Sequence, residues 1–102
     1  MPVLQIDVVP LGTDEPSISS FISEACKIVE EKGLKYQVNP MSTIIEGNQE
    51  EIFEVAKKMH EMPLNMGASR VITSITIDER LDKNMDMEKM VEVVAEDLEE
   101  VP

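Results

Sequence analysis

Few side chains in this sequence belong to the types that commonly carry catalysis or bind metals. There is one histidine, His60, and one cysteine, Cys26. His60-Glu61 begins an H-E-x-x-H zinc pattern, but Leu64 occupies the second histidine position, which excludes a zinc site of that kind. A lone histidine at the edge of an apolar helical stripe indicates packing, and so does an unpaired cysteine beside such a stripe. We therefore predict packing roles for both residues.

A segment with two aspartates, "DKNMD" at positions 82–86, resembles the first half of a calcium-binding loop. Such a loop needs a glycine at its sharp turn and a bidentate glutamate at its end. Met87 and Val93 occupy those two positions, so this kind of calcium loop is excluded. We expect no metal and no other cofactor.

Glu46 is an acid whose position along the chain is informative. It ends an apolar run and is followed by Gly47. The ends of strands often carry binding sites, so its carboxylate could bind a cationic or amidine-like ring. It could equally be solvated, or lie at the positive N-terminus of a helix. The residues alone leave these alternatives open.

A loop containing Gly12 and Thr13 separates a predicted strand from a predicted helix. Loops of this type can hold an anion at the helix N-terminus, and the predicted topology brings this one near Arg70. The loop lacks the spacing and the lysine of a phosphate-binding P-loop. The sequence therefore favours a bend that leads into a capped helix.

Hydrophobic periodicity predicts the order β-α-β-β-α-β, followed by a C-terminal helix. Alternating or β-branched residues predict strands at positions 3–9, 34–38, 41–46 and 71–78. Apolar residues three and four apart predict helices that begin near Pro16, Asn48 and Met87. Pro63 predicts a kink or a short break in the second helix. This order predicts a ferredoxin-like α+β fold, with antiparallel strand order 4-1-3-2 and two helices on one face.

Composition narrows the class of protein. The chain has 102 residues and no linker-like segment, so we predict a single domain over residues 1–102. Its formal charge of −12 makes nucleic acids and anionic membranes poor partners. No apolar run reaches membrane-spanning length, the N-terminus lacks the features of a signal peptide, and the single cysteine favours a reducing compartment. We expect a cytoplasmic protein.

The predicted sheet has one face without helices. The side chains expected on this face are mostly polar: Gln5, Asp7, Gln37, Asn39, Ile72, Ser74, Thr76 and Asp78. The face could simply be solvated, as in many antiparallel sheets, or it could form an oligomer interface that contains a polar pocket. The C-terminal helix has an apolar stripe and could cover this face in its own subunit or in another.

Several segments, taken in order, resemble a known family. They are "VVPLGT", "SISSFI", "GLKYQVNPMSTIIEG", "HEMPLNMGASRV" and "ITIDER". Together they are similar to small archaeal, bacterial and yeast proteins related to the bacterial thiamine-binding protein YkoF. The resemblance implies a ferredoxin-like fold, dimers or tetramers formed through the sheets, and non-catalytic binding of thiamine or its hydroxymethylpyrimidine moiety.

The resemblance also implies a set of ligand-binding residues. These are Thr13, Ser42, Thr43, Glu46, Arg70 and Asp78, and the family pattern is matched at Gly47 and Arg80 as well. The sequence departs from the pattern at Met41-Ser42 and at Pro63. In the predicted monomer Arg70 lies at the opposite end of the sheet from Glu46 and Asp78, so one site using all three would need two subunits.

We therefore expect a cytoplasmic homo-oligomer, a dimer of dimers, that binds thiamine or its pyrimidine precursor near an interface without catalysis. An aminopyrimidine suits hydroxyl groups and a carboxylate. One alternative is a structural or regulatory oligomer without a small-molecule ligand. Another is a small ferredoxin-like enzyme, against which stand the single histidine, the single cysteine and the lack of a clear acid–base pair.

Overall fold

A computed structural model describes residues 1–12, 19–84 and 86–100. The elements are β1 (Val3–Leu11), α1 (Ser19–Glu31), β2 (Lys35–Val38), β3 (Thr43–Glu46), α2 (Gln49–Asn65), β4 (Arg70–Asp78) and α3 (Met87–Glu100). The four strands form one antiparallel sheet in the order β2-β3-β1-β4, which confirms the predicted α+β fold and strand order. The third strand starts at Thr43, two residues later than predicted. The predicted start of the first helix lies outside the described residues.

Strand β1 lies in the middle of the sheet and is longer than its neighbour β3. Its pairing with β3 ends at Ile6 opposite Thr43, whereas its pairing with β4 continues to Leu11 opposite Arg70. Residues 7–11 of β1 therefore pair on one side only. Pro10 lies in this part of β1, where a missing N–H is tolerated because only one edge needs hydrogen bonds.

The hydrophobic core lies between the sheet and the two helices α1 and α2. Leu4, Ile6 and Ile45 point from the sheet into this layer. Opposite them, the helices contribute buried residues at three-and-four spacing: Ala25, Val29, Ile52, Val55, Ala56 and Met59. The alternation in β1 that predicted one buried face is thereby confirmed.

Helix α2 has a well-defined start and continues through its proline. The Asn48 side chain accepts a hydrogen bond from the backbone N–H of Glu51 at 2.9 Å, so Asn48 caps the helix. Of the two effects predicted for Pro63, a kink or a short break, the break is wrong, because the helix continues to Asn65. Pro63 falls in the last turn, where only a short part of the helix remains to be disturbed.

Helix α3 lies over the face of the sheet that α1 and α2 leave open. Its first turns approach the sheet, and Met87 and Met90 are half-buried there. Further along, Val91 is 61 % exposed and Leu98 is 69 % exposed. The apolar stripe predicted for this helix is therefore present but mostly uncovered. Among the described residues, no helix is both long and apolar enough to cross a membrane.

Candidate functional site

One cavity lies on the helix side of the sheet, beside the turn that joins β2 to β3. We call it the hairpin-end cavity, and its volume is about 120 Å³. It exists because β1 continues beyond Thr43, the first residue of β3. This leaves a gap between β1, the turn and the two helices. Its apolar lining includes Ile6, Val8, Phe21, Ile22, Met59 and Met62.

Two of the predicted ligand-binding residues, Ser42 and Thr43, line this cavity. Thr43 is 8 % exposed and pairs with Ile6, so both side chains lie on the helix side of the sheet. Ser42 is half-buried at the end of the turn, where its backbone carbonyl accepts a hydrogen bond from the Asn39 N–H at 2.8 Å. Hydroxyl groups can both donate and accept hydrogen bonds, so this end of an otherwise apolar cavity can recognise a polar ring edge.

The apolar lining of this cavity was not predicted as part of a site. Phe21 and Met59 lie on the amphipathic stripes of their helices, and the sequence indicated only that they belong to the core. Nothing in that pattern marks the place where β3 ends before β1 does. The predicted strands at positions 3–9 and 41–46 were of similar length, so the sequence carried no signal for this cavity.

A second cavity, the open-face groove, lies on the other side of the sheet beneath the first turns of α3. Its volume is about 350 Å³. The polar lining residues are Gln5, Gln37, Asn39, Thr76 and Asp78, all of which were predicted to face this side. The apolar lining residues are Val3 and Ile44 from the sheet with Met87, Met90 and Val91 from α3.

Glu46 lies at the groove's edge and holds α3 in place. Its side chain is on the open face, yet the residue is only 8 % exposed. Its Oε1 accepts a hydrogen bond from the backbone N–H of Met87 at 2.9 Å. An acid at this position satisfies an unpaired N–H of the first turn and is favoured by the helix dipole. The sequence left three alternatives open for Glu46, and the structure shows the last of them, an acid at the N-terminus of a helix.

The remaining predicted residues are spread along the sheet. Asp78 of β4 and Glu46 of β3 lie on either side of Val3, so these two acids are at the same end of the sheet with β1 between them. Arg70 is eight residues before Asp78 in β4 and pairs with Leu11. This separation places Arg70 roughly 27 Å from Asp78. The sequence predicted that Arg70 would lie at the opposite end of the sheet from these acids, and in the monomer it does. Thr13 lies outside the described residues.

The Gly12 side of the first loop is tightly packed. Gly12 has a φ of +69°, and a Cβ added to it would lie 1.7 Å from the Ser69 Oγ. The Ser69 backbone N–H donates to the Leu11 carbonyl at 3.1 Å. Gly12 is therefore in close contact with the segment that joins α2 to β4. The rest of the predicted bend into a capped helix lies outside the described residues.

The single histidine, His60, and the single cysteine, Cys26, are both half-buried. The half-buried His60 has its Nδ1 2.7 Å from the Thr73 Oγ1, which joins α2 to β4. Burial raises the pKa of the half-buried Cys26 thiol, with a smaller effect from the nearby Glu30 carboxylate, so the thiolate is disfavoured. Over residues 1–12, 19–84 and 86–100, no three histidine, cysteine or acidic side chains are grouped so that they could hold a metal ion.

Comparison with known proteins shows the family. Residues 4–95 match the family described as thiamine-binding protein, and the chain belongs to this family. A UPF0045 protein of Staphylococcus xylosus is 43 % identical over 98 residues, which cover 92 % of each chain.

Solved structures agree with the fold. The hypothetical protein MJ1052 of Methanocaldococcus jannaschii has a TM-score of 0.84 at 33 % identity, covering 93 % of this chain and 96 % of its own. A Thermotoga maritima protein, provisionally assigned to thiamine biosynthesis or salvage, has a TM-score of 0.73 at 26 % identity. That match covers 90 % of this chain and 97 % of the other. The resemblance identified from the sequence is thereby confirmed.

Proposed function

We propose that this protein binds thiamine or its hydroxymethylpyrimidine moiety without catalysis, and that the pyrimidine ring occupies the hairpin-end cavity. The observation that carries the proposal is a ring-sized apolar cavity with the Thr43 hydroxyl at its wall, in a member of the thiamine-binding protein family. An apolar cavity of about 150 Å³ in another protein accepts benzene. A cavity of about 120 Å³ is of the size that a single aromatic ring requires.

The lining suits both surfaces of an aminopyrimidine. Its ring faces are apolar and polarisable, and Phe21, Met59 and Met62 offer aromatic and thioether contacts. Its edge carries an amino donor and ring-nitrogen acceptors, which Ser42 and Thr43 can satisfy because each hydroxyl both donates and accepts. In this proposal Thr13 remains a further polar contact, on the strength of the family resemblance.

The other predicted residues have different places in the proposal. Glu46 orients α3, and Asp78 lies in the open-face groove. Arg70 lies at the far end of the sheet, so it would reach a ligand only as a residue of a second subunit. Exposed apolar residues on the uncovered end of the sheet and on α3 support a homo-oligomer, for which we keep the dimer of dimers: Val9, Ile72, Val94 and Leu98.

Calorimetric titration with thiamine, thiamine phosphate and hydroxymethylpyrimidine tests the binding. Thr43→Val removes the hydroxyl but keeps the shape, and we expect about fivefold weaker binding of the pyrimidine compounds. Thr76→Val is the matched control, because it makes the same change on the opposite face of the sheet.

Three outcomes would contradict the proposal. Binding that Thr76→Val weakens and Thr43→Val leaves unchanged would move the ligand to the other face. A lack of heat with all three compounds, with the protein folded and its oligomer mass unchanged, would leave an oligomeric protein without this ligand. Chemical conversion of a compound during the titration would refute the absence of catalysis.

A further inference from the structure

The open-face groove has the regular construction of a binding site. Side chains from four neighbouring strands form a row across the sheet, Gln37–Ile44–Gln5–Thr76. The next row on the same face is Lys35–Glu46–Val3–Asp78. Because residues opposite each other in a sheet lie about 5 Å apart, each row spans about 15 Å across the open face. Gln5, Gln37, Thr76 and Asp78 of these rows line the same groove. The volume of about 350 Å³ falls in the range of small-molecule sites.

The groove has a floor and a roof that come from different elements. Ile44 and Val3 form an apolar floor between the polar side chains. Met87, Met90 and Val91 of α3 lie above them. Thioether groups adapt their shape and make favourable contacts with the edges and faces of aromatic rings. A flat ring can therefore lie between the strands and the helix.

Two interactions hold this roof over the sheet. Glu46 accepts the Met87 backbone N–H, and the Lys35 ammonium lies 3.4 Å from the Glu88 carboxylate. Both contacts are at the first turn of α3, so the helix is fixed where it covers the groove. The groove is thus formed within one subunit and does not need a second copy.

The polar groups select the chemistry of the ligand. Gln5 and Gln37 carry carboxamides, which present a donor and an acceptor side by side and so match an amide or amino-heterocycle edge. Asp78 adds a carboxylate, whose charge also interacts with the Arg80 guanidinium beyond the groove's edge. The residues that line the groove itself include no arginine, lysine or histidine. With a net charge of −12 on the chain, a cation is favoured and an anion is repelled.

We propose that the open-face groove is a second binding site, which takes a planar heterocyclic cation bearing an amide or amino group. It is separate from the hairpin-end cavity because the sheet lies between them; Asn39, at the hairpin turn, is the one residue that lines both. The proposal does not depend on pyrimidine binding at the other cavity.

Three small probes separate the features that the groove should recognise. 1-Methylnicotinamide has the ring, the charge and the carboxamide; nicotinamide lacks the charge; and 1-methylpyridinium lacks the carboxamide. Each is titrated to about 10 mM into the isotope-labelled protein, because a ligand of this size is expected to bind with a dissociation constant on the order of 1 mM. Amide shifts at Gln5, Ile44 and Thr76 report the groove, and those at Thr43 and Met59 report the cavity.

We expect 1-methylnicotinamide to shift the groove signals and to bind more tightly than the other two probes. Asp78→Asn should weaken it about threefold, because an exposed ion pair contributes little, and should leave nicotinamide unchanged. Gln5→Leu should weaken both carboxamide probes about fivefold. Glu61→Gln removes one charge, as Asp78→Asn does, but on the far side of α2. It should leave the binding of both carboxamide probes unchanged.

Absence of groove shifts with all three probes in the folded protein would overturn the proposal, as would equal binding of all three. Thiamine distinguishes this proposal from the preceding one. Thiamine shifts confined to Thr43 and Met59 support the hairpin-end cavity, and shifts confined to the groove overturn that assignment while supporting this one.

Discussion

The carboxylate of Glu46 and the backbone N–H of Met87 are 41 positions apart in the sequence and 2.9 Å apart in the structure. This hydrogen bond joins the end of β3 to the first turn of α3. It explains why a strand-end acid is nearly buried on a face that otherwise meets solvent. It also means that an effect of Glu46 on ligand binding can arise through the position of a helix.

Replacing Glu46 should loosen α3 without unfolding the sheet. We expect Glu46→Ala to cost about 1 kcal/mol of unfolding free energy and to speed hydrogen exchange at Met87 and the following turn. Urea unfolding and amide exchange measured by NMR test this. Glu92→Ala removes an exposed acid from the next turn of α3 and serves as the control. Equal exchange at Met87 in Glu46→Ala and the native protein would refute the anchoring role.

Asn48 should be important for the start of α2. Its side chain accepts the Glu51 N–H, so Asn48→Ala leaves that donor without its cap and should lower the unfolding free energy by about 1 kcal/mol. Asn65→Ala makes the same change at the other end of the helix, where the residue is exposed, and should have a much smaller effect. The urea midpoints of the two variants test this. Equal midpoints for Asn48→Ala and Asn65→Ala would contradict the capping role of Asn48.

Gly12 and Gly33 provide a matched pair of glycines with nearly equal φ values, +69° and +70°. Alanine at either position carries the strain of the left-handed conformation, about 1 kcal/mol. Only at Gly12 does the new Cβ also meet the Ser69 side chain, and we expect Gly12→Ala to cost about 3 kcal/mol in thermal or urea unfolding.

A second substitution separates the contact from the strain. Ser69→Gly removes the two nearest atoms and should recover most of the difference between the two alanine variants. If Gly12→Ala remains as destabilised in the Ser69→Gly background, the close approach is not the cause.

Tyr36 should titrate at unusually high pH. Its hydroxyl donates to the Glu30 carboxylate, which favours the protonated phenol and raises the pKa of Tyr36 to about 12. Because the chain has one tyrosine and no tryptophan, ultraviolet absorbance reports this group alone. Glu30→Gln should bring the midpoint back toward 10, and Glu31→Gln, the neighbouring acid, should leave it near 12.

The same shift sets a direction for stability at high pH. Between about pH 10 and 12 the unfolded chain has released the Tyr36 proton while the folded protein still holds it. Folding stability therefore falls as the pH rises through this window, and it does so less in Glu30→Gln. A midpoint of the native protein near 10 would contradict both expectations.

The sequence contained enough information for the fold because its patterns are local. Alternation in β1 marks Leu4 and Ile6 as inward, and three-and-four spacing marks Ala25 and Val29 in the same way. Asn48 has capping chemistry that depends on its immediate neighbours. The short break predicted at Pro63 is absent because the effect of a proline depends on how many residues of helix follow it, and here only two do.

The candidate sites depend on relationships that no local pattern contains. The hairpin-end cavity results from a difference in strand length between β1 and β3. The role of Glu46 results from where α3 comes to lie after a loop of eight residues, and the sequence could not distinguish between the helices that a strand-end acid might serve. Several residues of the candidate sites could be identified from the sequence, whereas their arrangement in space is set by the tertiary structure.

The central position of β1 has a consequence for the order in which the chain can fold as it is synthesised. Of the four strands in this sheet, β1 leaves the ribosome before the other three, yet its last partner, β4, follows about 60 residues later. At typical rates of roughly 5–20 residues per second, this delay amounts to several seconds. During that time the pairing edge of β1 that later receives β4 is open to other chains, and Asp7 is a charged residue on that strand that discourages such contacts.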